Sequence, residues 1–322
     1  MPAIEITNLR KQYNGLVAVD SLNLKINEGE IFGLLGPNGA GKTTTLMMLT
    51  TLIKPTSGTA AINGFDIVKN PSEVRKSIGM VFQDPSSDEI LTGYENLKLH
   101  GMLYGMDGKL REKRIEEILK LVNLEDRKND FVKKYSGGMR RRLELGRGLI
   151  HHPKILFLDE PTLGLDPQAR ENIWQYVEKL TKEEKITIII TTHYMEEAEK
   201  LCDRLAIIDK GKIVALGSPK ELKEVIGGDI VTLKIRNPNI NGLENLNFIK
   251  KIEIKGDILS LVVMNANINL PRILKIAGEV ESVEVKSGTL EEVFLKYTGR
   301  EIKENASGGR WSEKVIQYKS KK

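Results

Sequence analysis

Short apolar runs alternate with amphipathic stretches along the N-terminal part of the chain. Ile4-Glu5-Ile6 and Leu22-Asn23-Leu24-Lys25-Ile26 alternate apolar and polar positions, which predicts strands with one buried face. Ile31-Phe32-Gly33-Leu34-Leu35 is apolar throughout, the pattern of a central strand covered on both sides. A Gly-rich turn follows, and a helix is predicted over Thr43–Leu52. From about 84 to 152 the period becomes helical. Lys109–Val122 is the clearest case, with Leu110, Ile115, Ile118, Leu119 and Val122 on one stripe and charges opposite. Ile155–Leu158 and Ile186–Thr191 are again apolar strands, separated by a predicted helix over Gln168–Lys182. Apolar strands alternating with helices predict an α/β core around a largely parallel sheet, with 84–152 as a helical insertion.

The pattern shifts after Gly217-Ser218-Pro219. Ile230–Ile235, Ile258–Val263 and Val280–Val285 read as strands, and Leu270–Ala277 and Leu290–Tyr297 as helices. Residues 218–300 are therefore expected to form a small α+β domain following a first domain over 1–217. The basic stretch 301–322 has few apolar anchors and is expected to be loosely ordered. Hydrophobic residues make up 40% of the 322, charged residues 29%, and the net charge is +5. That balance describes an ordinary globular protein and gives no dense basic stripe for nucleic acid. The run Arg140-Arg141-Arg142 is the one local exception, and a solvated, salt-bridged helix face is expected there. The single cysteine, Cys202, excludes an internal disulfide and is expected to be a small buried hydrophobe at the end of a helix. No run approaches the ~18–20 apolar residues of a membrane span, and Met1–Glu5 lacks signal-peptide character, so a cytoplasmic protein is expected.

Candidate chemistry is concentrated at Gly36-Pro37-Asn38-Gly39-Ala40-Gly41-Lys42-Thr43, which satisfies the phosphate-loop pattern G-x-x-x-x-G-K-[ST]. A strand precedes it and a helix follows, as the motif requires. Backbone N–H groups of the loop and the helix N-terminus would surround phosphate oxygens. Lys42 would reach the β- and γ-phosphates and the Thr43 hydroxyl would ligate Mg²⁺, with Thr44 next in the loop. These residues imply a bound nucleoside triphosphate without specifying the machine that uses it.

Further motifs, in order, resemble those of the ATP-binding cassette (ABC) ATPases over about residues 1–217. Tyr135-Ser136-Gly137-Gly138-Met139 resembles the family signature Leu-Ser-Gly-Gly-Gln, with Tyr for the Leu and Met for the Gln; taken alone, it reads first as a Ser N-cap with a Gly-Gly turn. Ile155–Glu160 resembles the strand whose two terminal carboxylates serve ATP hydrolysis. Asp159 is assigned to Mg²⁺ and Glu160 to polarising the attacking water, and a solvated acidic turn is the alternative. His193, after Thr187–Thr192, corresponds to the switch histidine, and Gln83 to the Mg²⁺-sensing glutamine, or else a polar strand end. Gly164-Leu165-Asp166 resembles the loop that crosses to the opposite subunit. Tyr13 corresponds to the aromatic that stacks on adenine, with plain core packing as its alternative.

The resemblance implies an α/β protein: a P-loop NTPase core of the ABC ATPase type with an antiparallel β subdomain and a helical insertion, plus the small C-terminal α+β domain. It implies ATP and Mg²⁺ as cofactors, held between two copies facing head to tail. It also implies a separate membrane permease docking near Gln83–Glu95 and peripheral association with the inner face of the cell membrane, without nucleic acid. Thr289–Arg300 resembles the C-terminal domain of antibiotic-resistance exporters of daunorubicin type. An exporter of drug-like or other hydrophobic cargo is therefore expected. A permease-free ABC ATPase of translation or DNA repair is disfavoured, because only a compact helical stretch separates the motif halves. A regulatory protein without turnover would not need Glu160.

Overall fold

In a computed structural model of the chain, the alternating start pairs into a long antiparallel hairpin, β1 (Pro2–Tyr13) and β2 (Leu16–Asn27). Residues 2–299 are described, apart from Ile226, Arg236, Asn237 and Ser287, so the stretch 301–322 lies outside the described residues. The described residues fall into two compact units that part between Val214 and Ala215.

In the first unit, β3 (Ile31–Leu35) leads through a loop into α1 (Lys42–Leu49). This helix ends at Leu49, short of the expected Leu52. Thr50 turns its hydroxyl back onto the Leu46 carbonyl at 2.8 Å, and Thr51 takes a φ of 63°, which ends the helical run. Next come β4 (Ser57–Ile62), β5 (Phe65–Asp66), α2 (Pro71–Ser77) and β6 (Ile78–Val81). The hairpin and β4–β5 form one antiparallel sheet in the order β2-β1-β4-β5.

Three α-helices then separate β6 from β7 (Ile155–Asp159): α3 (Gly93–Leu103), α4 (Gly108–Leu121) and α5 (Gly137–Leu149). There follow α6 (Pro167–Glu184), β8 (Thr187–Thr192), α7 (Met195–Leu201), β9 (Arg204–Asp209) and β10 (Lys212–Gly217), the strand within which the two units part. The second sheet runs β10-β9-β3-β8-β7-β6, with the pairs from β9 to β6 parallel. Every residue of β3, β7 and β8 is buried, as continuous apolar runs in a sheet covered on both faces require. The register sets Leu35 beside Thr192, Asp159 beside Thr191, and Val81 beside Leu158. The loops leaving the C-terminal ends of these strands therefore open at one edge of the sheet, the usual ligand edge of a parallel sheet.

The second unit contains α8 (Pro219–Glu224), β11 (Asp229–Ile235), α9 (Ile240–Glu244), β12 (Ile249–Lys255), β13 (Ile258–Val263), α10 (Ala266–Ala277), β14 (Val280–Lys286) and α11 (Leu290–Thr298). Its antiparallel sheet, ordered β12-β13-β11-β14, buries Val231, Leu233, Leu259 and Leu261 with Ile273 and Ala277 of α10. The sequence reading leaves out α8, α9 and β12 and starts α10 late. β12 carries no fully buried residue and gives little apolar signal. α10 begins at Ala266 rather than Leu270, because Pro271, which reads as a helix start, lies inside the helix.

Candidate functional site

The loop between β3 and α1 is shaped by close backbone approach. Gly41, the N-cap of α1, has a φ of 106°, and a Cβ there would lie 2.5 Å from the Ala18 carbonyl of β2. No side chain caps α1, so its first N–H groups remain available to an anion. Lys42 is 4% exposed and turns its Nζ onto the loop, donating to the Gly36 carbonyl at 2.7 Å and the Pro37 carbonyl at 3.2 Å. Pro37-Asn38-Gly39-Ala40 closes the turn with Ala40 N–H on the Pro37 carbonyl at 3.1 Å, and Thr44 is half-buried behind it.

The ends of β7 and β8 bring the acidic residues to this loop. Asp159 Oδ1 accepts from Thr191 Oγ1 at 2.5 Å and from Thr43 Oγ1 at 3.2 Å. Glu160 Oε1 lies 3.4 Å from Lys42 Nζ, and Glu160 Oε2 lies 3.3 Å from His193 Nδ1, which approaches without hydrogen-bond alignment. Glu160 and His193 are both buried. Burial raises the Asp159 carboxyl, against hydrogen bonds from Thr191 and Thr43, and the Glu160 charge adds to the rise. Burial also pushes Glu160 up, but the contact with His193 and the charge of Lys42 outweigh it, so Glu160 falls below its ordinary value. Lys42 is lowered by burial, although Glu160 and Asp159 oppose the shift. The two adjacent carboxylates are thus driven in opposite directions.

The structure corrects the reading of the arginine run. Arg141 does not belong to a solvated face: it is 6% exposed and donates to the carbonyls of Pro161 at 2.6 Å, Phe82 at 2.5 Å and Asp159 at 3.2 Å. Helical phase explains this, since Arg141, Leu145 and Leu149 recur every fourth residue along the buried stripe of α5. Arg140 does face outward, pairing with Glu89 at 2.5 Å. Glu144, also buried on α5, accepts from Ser86 N at 3.0 Å, Ser87 N at 2.6 Å and Arg147 Nη1 at 3.0 Å. Glu197, 0% exposed, accepts from the Thr162 hydroxyl at 2.8 Å and Trp174 Nε1 at 3.0 Å. Thr191 follows an apolar run and Glu144 stands between two leucines, whereas Glu197, among Glu196, Glu199 and Lys200, carries no such signal in the sequence.

The remaining expected residues take other places. Gln83 follows β6, and its carbonyl lies 3.5 Å from Arg141 Nη1. Ser136 caps α5, its Oγ accepting from Met139 N at 3.3 Å. A Cβ on Gly138 would lie 3.4 Å from Ala169 Cβ, so the start of α5 sits against that of α6. Asp166 caps α6 through Ala169 N at 2.8 Å. Among the hydrogen bonds and ion pairs of Lys42, Thr43, Asp159, Glu160 and His193, none goes to Ser136, Gly137, Gly138 or Asp166 of the same chain. Tyr13 ends β1 beneath Lys11 Nζ, 5.0 Å from its ring centre, and Ala18 and Val19 of the following strand pack on Gly41. Cys202 is buried at the end of α7, where a Cβ on Gly33 would lie 2.7 Å from its Sγ. Among the described residues, no helix is long and apolar enough to cross a membrane.

Comparisons with known proteins agree with this geometry. A family profile described as ABC transporter matches residues 19–163, and one described as ATP-binding protein DrrA1-3-like, C-terminal domain, matches 217–298. The daunorubicin resistance ATP-binding protein DrrA3 of Streptomyces coeruleorubidus is 39% identical, covering 94% of this chain and 99% of its own length. The linearmycin resistance ATP-binding protein LnrL of Bacillus subtilis is 36% identical over 94% of this chain and 100% of its own. A dimeric ATP-binding cassette in a post-hydrolysis state, bound to ADP and phosphate, superposes with a TM-score of 0.61 at 31% identity, covering 67% of this chain and 98% of that one. Sharing this much sequence with its relatives, together with a strand-end cluster suited to phosphoryl chemistry, the chain belongs to the ABC transporter family, as the subunit that binds and hydrolyses ATP.

Proposed function

We propose that this ATPase drives an exporter of drug-like or other hydrophobic molecules. Its relatives are named for daunorubicin and linearmycin resistance and for Nod factor export, which supports outward transport of such cargo. The observation that carries the site reading is the cluster of buried Lys42, Asp159, Glu160 and His193 with half-buried Thr43, where the start of α1 meets the ends of β7 and β8.

Lys42 binds the β- and γ-phosphates, giving up the Gly36 and Pro37 carbonyls and its contact with Glu160 for stronger anionic partners. Glu160, freed of Lys42, accepts a proton from water as the water oxygen bonds to the γ-phosphorus and the bond to ADP breaks. His193 holds the far side of Glu160 and stands ready for the γ-phosphate. Thr43 and Asp159 offer one hydroxyl and one carboxylate, hard oxygen donors 3.2 Å apart that suit Mg²⁺ completed by water and phosphate. Bound there, Mg²⁺ would neutralise charge on the phosphates, with Gln83 sensing its water shell.

Tyr13 stacks on the adenine. Ser136, Gly137, Gly138 and Asp166, which serve none of their own chain's cluster, complete the site of a second copy, so ATP closes a head-to-tail dimer. A separate membrane permease docks near Gln83–Glu95, which holds the subunit at the inner face of the cell membrane. Replacing Glu160→Gln tests the core of this reading. The variant should bind ATP normally, lose nearly all turnover and accumulate as a closed dimer on gel filtration. Hydrolysis at the parent rate would remove Glu160 from the chemistry.

A further inference from the structure

Glu160 carries its catalytic carboxylate on a backbone with a φ of 45°, a region that residues with a Cβ seldom adopt. Its own N–H is held by the carbonyl and the hydroxyl of Thr191, each at 3.1 Å. The backbone segment around it is held at two points by one residue from a different part of the fold. Arg141 Nη2 donates to the Asp159 carbonyl in the peptide that enters Glu160, and Arg141 Nε donates to the Pro161 carbonyl, one peptide beyond the bond that leaves it. Its third arm, Nη1, donates to the Phe82 carbonyl, which belongs to the peptide leading into Gln83. A planar guanidinium can direct separate N–H groups to these acceptors, whereas the point charge of an ammonium cannot. Burial lowers Arg141 to about 10, so it stays charged at neutral pH.

Arg141 sits on α5, the helix that begins directly after Ser136. A second side chain of that helix, Glu144, holds Ser86 and Ser87, so α5 grips the segment after β6 at two points.

We propose that Arg141 is a positioning residue for hydrolysis: it fastens the backbone of Glu160 and the approach to Gln83 to α5, so that movement of the signature helix re-aims the carboxylate. This rests on the reading of Glu160 as the base. Engagement of Ser136–Gly138 by a nucleotide on another copy is then felt at this chain's own Glu160 through one side chain.

The test uses the full chain, with Arg141→Lys, Arg141→Gln, Glu160→Gln and the double variant Arg141→Lys/Glu160→Gln. MgATP affinity is measured by equilibrium binding, and hydrolysis both at steady state and in single turnover. Both Arg141 variants should keep MgATP affinity and KM while kcat falls roughly 100-fold, the loss that a misplacement of about 1 Å can cause. In the Glu160→Gln background, Arg141→Lys should add no further loss, because residues acting as a unit are not additive. Unchanged kcat, parallel loss of kcat and affinity, multiplying losses in the double variant, or failure of both Arg141 variants to fold would each overturn the proposal. Normal turnover by Glu160→Gln alone would instead overturn the reading on which it rests.

Discussion

Removing the Glu144 carboxylate from α5 should destabilise the first unit more than any change on its surface. Glu144 is 4% exposed and Arg147 8%, with their charged ends 3.0 Å apart. Arg147 also donates to Ser86 Oγ at 2.9 Å and meets His100 Nε2 at 2.9 Å, but neither partner carries a compensating negative charge. In Glu144→Leu the guanidinium stays buried without its counter-charge, and breaking a buried pair in this way costs about 3–5 kcal/mol. The amides of Ser86 and Ser87 lose their acceptor as well, yet Ser86 is exposed and water can replace it, so the lower end applies. About 3 kcal/mol corresponds to a drop in melting temperature on the order of 10 °C for a unit of this size. Circular dichroism melts of Glu144→Leu, Arg147→Leu and the double variant would measure it. The double variant should be more stable than Glu144→Leu alone, because it buries no lone charge. A melting temperature equal to the parent's, or a double variant weaker than the single, would refute the reasoning.

Other consequences can be checked with single changes. A Cβ on Gly79 would meet the Gly148 carbonyl at 2.1 Å, where backbone must yield, so Gly79→Ala should lose about 1–3 kcal/mol by urea titration; full stability would show that β6 and α5 are not so tightly apposed. Burial and the nearby charge of Arg147 take His100 from its ordinary 6.5 to about 4. The folded pKa is therefore the lower one: between these values the unfolded chain binds a proton that the folded chain refuses, and stability falls as pH drops through that window. His100→Gln should flatten this decline, and an unchanged slope in melts across the window would contradict the assignment. Ser136→Arg should abolish ATP-induced dimerisation on gel filtration while leaving nucleotide binding by the single chain intact; a normal dimer would count against the shared site.

Much of the site was legible because its chemistry is local. Gly36–Thr43 needs only a strand, a tight loop and a helix start, and all three are written in consecutive residues. Asp159 and Glu160 stand together at the end of an apolar run, directly adjacent in the chain. Arg141 was misread because a charge run signals solvent in a one-dimensional view, and only helical phase together with carbonyls from distant segments makes a buried position favourable. β12 went unread because its side chains are largely exposed and leave no strong apolar pattern. The extent of α10 was obscured by Pro271.

The alternation of central strands and helices, the phosphate loop and the pair of adjacent carboxylates are written in the sequence, since each depends on neighbouring residues through side-chain period or backbone geometry. Tertiary structure decided which residues meet. The parallel register puts Asp159 beside Thr191, Lys42 closes on Glu160, and Arg141 spans the peptides around Glu160. These contacts join residues far apart in the chain, and whether a charge can be buried there depends on acceptors that only the folded sheet brings within reach.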